Sequence, residues 1–101
     1  MGGKQEYMNW YLYILECSDK SLYTGITTNI DRRIRQHNNK EGAKSLMGKL
    51  PAKLIYYEEY SDNVTAARRE REIKSWKREK KLELIKGFKL MGLHLRTNCL
   101  H

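Results

Sequence analysis

Asn9-Trp10-Tyr11-Leu12-Tyr13-Ile14-Leu15-Glu16-Cys17, then Ser18-Asp19-Lys20-Ser21, then Leu22-Tyr23-Thr24-Gly25-Ile26-Thr27 is the stretch whose reading decides the fold. Aromatic and branched side chains dominate both outer runs, and the four residues between them carry turn chemistry, so a β-hairpin is expected. The loop does not fix the register, which leaves open whether Tyr13 and Tyr23 share a face.

Working outward, Asn29 is placed to cap a helix running to about Asn38, with Ile30 and Ile34 at helical spacing and Asp31 in the first turn. Residues 38–51 show no period and carry Lys40, Lys44 and Lys49 among small residues, the pattern of an exposed, mobile basic loop. Ala52 to Tyr60 reads as a third strand, and Ser61-Asp62-Asn63 supplies a turn and an N-cap for a helix from Val64 to Lys77. A last helix is expected from Arg78 to about Lys86, with Leu82 and Ile85 on its buried side and Gly87 as its stop. The order β-β-α-β-α-α gives an α+β fold, a small three-stranded antiparallel sheet flanked by helices. A single domain over 8–90 is expected, with flexible tails at 1–7 and 91–101.

At 101 residues the chain has room for one domain, and a hydrophobic fraction of 40% with one proline excludes a disordered or low-complexity protein. Lys and Arg outnumber Asp and Glu by 20 to 12, so the net charge of +8 favours an anionic partner. No apolar run approaches the roughly 20 residues of a membrane span, and the opening residues lack a signal-peptide core, so a cytoplasmic protein without a membrane partner is expected. Cys17 and Cys99 lie far apart with no metal-binding or redox spacing, the pattern of two free thiols.

Several residues stand out of place on their own faces. On a helical wheel, Arg33 and His37 edge the stripe defined by Ile30 and Ile34, and as an i, i+4 pair they can converge on one point beside the sheet. A packed arginine stem and a helix-capping histidine would account for them equally simply. In the next helix Glu70 falls between Ala67 and Ile73 on the apolar arc, a costly place for a carboxylate without a cation, hydrogen bonds or a metal. An ion pair with Lys74 in the favoured i, i+4 orientation is the plain alternative. Seven tyrosines stand against one phenylalanine, and Tyr11, Tyr13 and Tyr23 fall in the hairpin, where packing is the ordinary role of such residues. Ten of the basic residues, Arg68 and Lys74 among them, lie between Arg68 and Lys89 with only four acids. They form either a solvated face or, together with Lys44 and Lys49, a surface that grips phosphates.

Taken together, Tyr11-Leu12-Tyr13, Tyr23-Thr24-Gly25, Arg33, His37 and Glu70 resemble the GIY-YIG nuclease superfamily. Gly42-Ala43-Lys44, Leu54-Ile55-Tyr56-Tyr57-Glu58-Glu59 and the run from Glu70 to Lys74 are further similar to its short stand-alone bacterial members. The resemblance implies the same three-stranded fold and a metal-dependent endonuclease, with DNA favoured over RNA, structure favoured over sequence as the basis of recognition, and a DNA-repair setting. It implies that Tyr13 and Tyr23 line the site, one as general base or orienting the attacking water. Arg33 then holds the scissile phosphate, His37 assists proton transfer or phosphate contact, and Glu70 ligates the metal. The chain departs from the family pattern at Tyr11-Leu12, at Thr24 and at Ile26, where many members have a lysine that helps depress a tyrosine pKa.

One carboxylate with waters and phosphate oxygens suffices for a single Mg²⁺ or Mn²⁺ ion, bound weakly without substrate. A tyrosine of pKa about 10 is ionised about one part in a thousand at pH 7, and lowering it to about 8 takes roughly 2.7 kcal/mol. Should metal and Arg33 not supply this, a slow enzyme whose rate climbs with pH is expected, and a flat profile between about pH 6 and 9 counts against a tyrosinate base. The competing classes are a non-catalytic nucleic-acid-binding module on the same fold and an adaptor for an acidic protein. With no recognition-helix pattern in the chain, specificity is expected to be for shape or to come from a protein partner.

Overall fold

The computed structural model describes residues 9–39 and 48–99, with side chains through Phe88. Its elements are β1 (Trp10–Glu16), β2 (Leu22–Thr27), α1 (Ile30–Asn38), β3 (Lys53–Tyr60), α2 (Asn63–Lys74) and α3 (Arg78–Cys99). The strands form one antiparallel sheet of order β2-β1-β3.

The hairpin turn closes through Lys20 N–H to the Cys17 carbonyl and Cys17 N–H to the Ser21 carbonyl, both 2.9 Å. Asp19 fastens it by accepting from the Ser21 amide at 3.0 Å and hydroxyl at 2.6 Å. The register this turn imposes pairs Tyr13 with Gly25 and Leu15 with Tyr23. Because side chains alternate along a strand, Tyr13 and Tyr23 therefore face the same way.

That alternation builds two cores. Tyr13, Leu15, Cys17 and Ala52 pack under Ile30 and Ile34 of α1, while Leu12, Ile14 and Tyr56 pack under Ile73 and Ile85 of α2 and α3. Asn29 caps α1 by accepting from the Arg32 amide at 2.9 Å, as its position in the sequence suggests. At the other end Asn38 joins α1 to the sheet, its amide accepting from Ala52 N–H at 2.9 Å and donating to the Ala52 carbonyl at 3.2 Å. Asp62 caps α2 through the Thr65 amide at 2.7 Å.

The helices depart from expectation in three places. α2 ends at Lys74 rather than Lys77, because Ser75 caps it and its hydroxyl turns back to the Glu72 carbonyl at 2.6 Å. Gly87 does not stop α3, which continues to Cys99 and takes in residues 91–99 of the expected tail. An interior glycine costs only about 1 kcal/mol, and the good helix formers around it outweigh that. Leu82 is 41% exposed rather than buried, since the stripe that reaches the core runs through Leu84, Ile85 and Phe88. Residues 40–47 of the basic loop lie outside the described residues, as does the expected 1–7 tail.

Candidate active site

Tyr13 is 1% exposed and lies across Gly25 of the neighbouring strand. A Cβ at position 25 would stand 2.7 Å from the phenol oxygen and 2.8 Å from Cζ, so only glycine lets the ring lie there. The ring thereby reaches past β2 to α1, where its hydroxyl meets His37 Nε2 at 3.0 Å. His37 is 2% exposed, well inside the stripe whose edge it was expected to occupy. Tyr23 completes the cluster, its ring 6.2 Å from that of Tyr13 and 5.3 Å edge-on from the imidazole.

Arg33 stands one helical turn before His37 and its charge acts on Tyr13. Its Nη1 donates to Gln36 Oε1 at 3.2 Å, but its Nε is buried with no hydrogen-bond partner among the described residues. A buried guanidinium N–H without an acceptor is costly, and an anion is the acceptor that would relieve it. Ile26, Thr27, Thr28, Arg32, Arg33 and Gln36 line a groove there. Arg32 thus shares a groove with Arg33, and Ile26 contributes an aliphatic wall.

The electrostatics do not favour a free tyrosinate. Burial pushes the Tyr13 phenol well above its usual range, Tyr23 adds to the rise, and the Arg33 guanidinium only partly opposes it. Burial, followed by the positive charge of Arg33, holds His37 below its ordinary 6.5. At neutral pH the pair is therefore a neutral phenol against a neutral imidazole. Arg33 acts on Tyr13 in the expected direction, but desolvation of the ring sealed under α1 outweighs it.

Glu70 belongs to a different layer. In α2 the buried line passes through Ala66 and Ile73, one residue off the expected Ala67, and Glu70 lies on it four residues after Ala66. This helix packs on the Leu12 and Ile14 face, opposite Tyr13. The Glu70 carboxylate, 21% exposed, pairs with Lys74 Nζ at 3.0 Å, the plain alternative that the sequence left open. Tyr13, Tyr23, Arg33 and His37 are thus brought together, while Glu70 lies on α2 in an ion pair; Ile26, which lines the Arg33 groove, packs in the same core as Ile73 of that helix.

Of the expected phosphate-gripping residues, Arg68 and Lys74 are exposed on α2. Lys49 lies by the hairpin turn, where its carbonyl accepts from Ser18 N–H at 2.8 Å. Lys44 is outside the described residues. Sequence reasoning missed a second polar cluster, in which Glu58 accepts from the Tyr56 and Tyr60 hydroxyls and from Arg69 Nε at 3.0 Å. Burial alone would raise the Glu58 carboxyl, but its hydrogen bonds from Arg69, Tyr56 and Tyr60 together hold it below the usual carboxylate range. Arg69 also bonds Glu72 at 2.9 Å and lies over the Trp76 ring, so the cluster ties β3 to α2. The alternation Tyr56, Glu58, Tyr60 in a strand was the signal that placed this carboxylate on the inner face.

Tyr13, Tyr23, Arg33 and His37 stand together on one side of the sheet, and residues 9–83 match the GIY-YIG catalytic domain. The chain belongs to that family. Among its relatives, the chain is 53% identical over 74 residues to a UPF0213 protein of Haloquadratum walsbyi, covering 73% of this chain and 83% of that one. To a UPF0213 protein of Staphylococcus haemolyticus it is 48% identical over 75 residues, covering 74% and 92%. The solution NMR structure of a UPF0213 protein from Bacillus halodurans matches with a TM-score of 0.52 and 44% identity, over 78% of this chain and 84% of that one. The same three-stranded α+β arrangement is found there.

Proposed function

We propose that this chain is a divalent-metal-dependent endonuclease that hydrolyses phosphodiester bonds in nucleic acid, DNA in preference to RNA, recognising structure rather than sequence. The observation that carries the reading is the Tyr13 hydroxyl held 3.0 Å from His37 Nε2, beside an Arg33 Nε buried without an acceptor among the described residues. A phosphate in the Arg32 and Arg33 groove supplies that acceptor, and Arg32 adds charge where Ile26 leaves out the lysine of many relatives.

The raised Tyr13 and lowered His37 support a concerted proton path. The water's proton passes to the Tyr13 oxygen as the Tyr13 proton passes to His37 Nε2, so no free tyrosinate accumulates. The water oxygen forms the new P–O bond, the bond to the leaving sugar oxygen breaks, and that oxygen takes its proton from solvent. Arg33, with Tyr23 beside it, steadies the phosphate as negative charge develops.

Glu70 fits a hard cation as a carboxylate at the edge of the core, provided it gives up Lys74. Among the described residues no three acidic, His or Cys side chains group to hold an ion unaided, so phosphate oxygens and water would complete the shell, and affinity without substrate would be weak. When bound, Mg²⁺ or Mn²⁺ neutralises charge on the phosphate and leaving oxygen. The Glu70 pairing with Lys74 is also what a non-catalytic binding module would show.

The two separate by cleavage of labelled DNA and RNA duplexes, flaps and branched forms with Mg²⁺, Mn²⁺ or EDTA, using the native chain, Arg33→Ala and Glu70→Ala. Metal-dependent cutting lost in both variants, with binding kept in Glu70→Ala, supports the nuclease. Salt-sensitive binding by folded protein without cutting on any substrate supports the module.

A further inference from the structure

We infer that Tyr57, together with Tyr11, forms a subsite that stacks an unpaired nucleobase next to the cleavage groove. The inference rests on the nuclease reading, and it adds a feature of the substrate: at least one unpaired base beside the scissile phosphate.

Tyr57 pairs with Tyr13 across β1 and β3 and so lies on the same sheet face as the catalytic phenol. Unlike Tyr13 it is 43% exposed, a large ring left in water on the strand at the sheet's edge. Its orientation is nonetheless fixed from two sides. Tyr11 meets it edge-on at 6.3 Å and Phe88 of α3 meets it edge-on at 5.6 Å. Tyr11 in turn is anchored by its hydroxyl to Glu59 at 3.5 Å, and the Glu59 charge keeps that phenol protonated by raising its pKa. With both neighbours in place Tyr57 still keeps 43% of its surface in water, the exposure that a stacking platform needs.

The surroundings suit a base better than a phosphate. Tyr11, Thr28, Asn29, Ile30, Asp31 and Tyr57 line a groove in front of the platform. Its one charged lining residue is Asp31, and Glu59 stands behind Tyr11, so this groove repels phosphate while the Arg32 and Arg33 groove attracts it. Carboxylate and amide groups here can instead accept from or donate to a base edge. Thr28 lines both grooves. A strand gripped by its phosphate at Arg33 therefore crosses the start of α1 and offers its next bases to Tyr57. In an intact duplex those bases are stacked inside and cannot reach the ring, so the site selects single-stranded, flapped or branched substrates.

The test compares binding of a short single-stranded DNA with that of the same strand carrying abasic positions, by fluorescence anisotropy in EDTA, for the native chain, Tyr57→Phe, Tyr57→Leu and Arg33→Ala. Far-ultraviolet circular dichroism and melting confirm that each variant is folded. Stacking on one aromatic ring should make the native chain prefer the base-bearing strand by about 5- to 100-fold. Tyr57→Phe should keep that ratio, and Tyr57→Leu, which keeps apolar bulk without the π face, should bring it close to one. Arg33→Ala should weaken both strands alike and leave the ratio standing. A ratio near one in the native chain, or a full ratio in Tyr57→Leu, overturns the subsite while salt-sensitive binding and cleavage leave the nuclease reading intact. Absence of binding to either strand overturns the subsite, and the nuclease reading is then decided separately by the metal-dependent cleavage of flapped and branched DNA.

Discussion

Gly25→Ala tests the seating of Tyr13. The added methyl would stand 2.7 Å from the phenol oxygen and 2.8 Å from Cζ, where non-bonded atoms rest at about 3.5–4.0 Å, so the ring must retreat by about 1 Å. Tyr13 is 1% exposed, and the space behind it is filled by the α1 core. Such overpacking costs about 1–3 kcal/mol of stability. The retreat also breaks the 3.0 Å contact with His37, and a misplacement of about 1 Å at a reacting group slows chemistry on the order of 100-fold. Single-turnover cleavage and thermal melts of Gly25→Ala, Tyr13→Phe and the double variant separate the two effects. Because both changes remove the same hydroxyl from the same place, the double variant should be no slower than Tyr13→Phe alone, yet still less stable, since the Cζ contact remains. Native cleavage by Gly25→Ala, or rate losses that multiply in the double variant, would refute the seating and the relay together.

Glu58→Ala removes the acceptor shared by Arg69, Tyr56 and Tyr60; a loss of about 2–3 kcal/mol is expected from a thermal or urea melt, with a change in Trp76 fluorescence as Arg69 leaves its ring. The relay makes cleavage fall as pH drops through the depressed His37 pKa, below 6.5, and stay level from there to about pH 9, whereas a free tyrosinate gives a rate rising about tenfold per pH unit. The same histidine binds its proton more readily when unfolded, so stability present above about pH 6.5 should decline as pH falls through that value toward the folded pKa, as a pH series of melts would show. Lys74→Met frees Glu70 from a pair worth roughly 0.2–0.5 kcal/mol, so Mn²⁺ affinity without substrate, measured by calorimetry, should rise about twofold; a fall would remove Glu70 from the metal role.

The hairpin, the two N-caps and the element order were legible because each rests on local chemistry: turn residues at 18–21, Asn29 before Ile30, Asp62 before Thr65. The convergence of Tyr13 with Tyr23 was not, because it depends on a register that only the folded turn fixes. Arg33 and His37 emerged from helical spacing, but the depth of His37 and the upward shift of Tyr13 come from α1 closing over the sheet, a tertiary effect. The α3 errors share one cause. Good helix formers run from Arg78 to Lys86 and resume after Gly87, so local pattern showed neither which side α3 buries nor that the helix passes through that glycine. The Glu58 cluster was missed because its cation, Arg69, lies eleven residues on in a different element, while Glu70 with Lys74, a neighbour on one helix, was visible in advance.

Cleavage of a branched DNA with an unpaired flap, carried out with Mg²⁺ in ¹⁸O-labelled water, tests the central claim most directly. Phosphodiester hydrolysis through the Arg33, Tyr13 and His37 centre should yield one ¹⁸O per cut in the product phosphate, read by mass spectrometry, with product lost in EDTA and in Arg33→Ala. Folded protein that binds the DNA in a salt-sensitive way yet leaves every strand intact would contradict it.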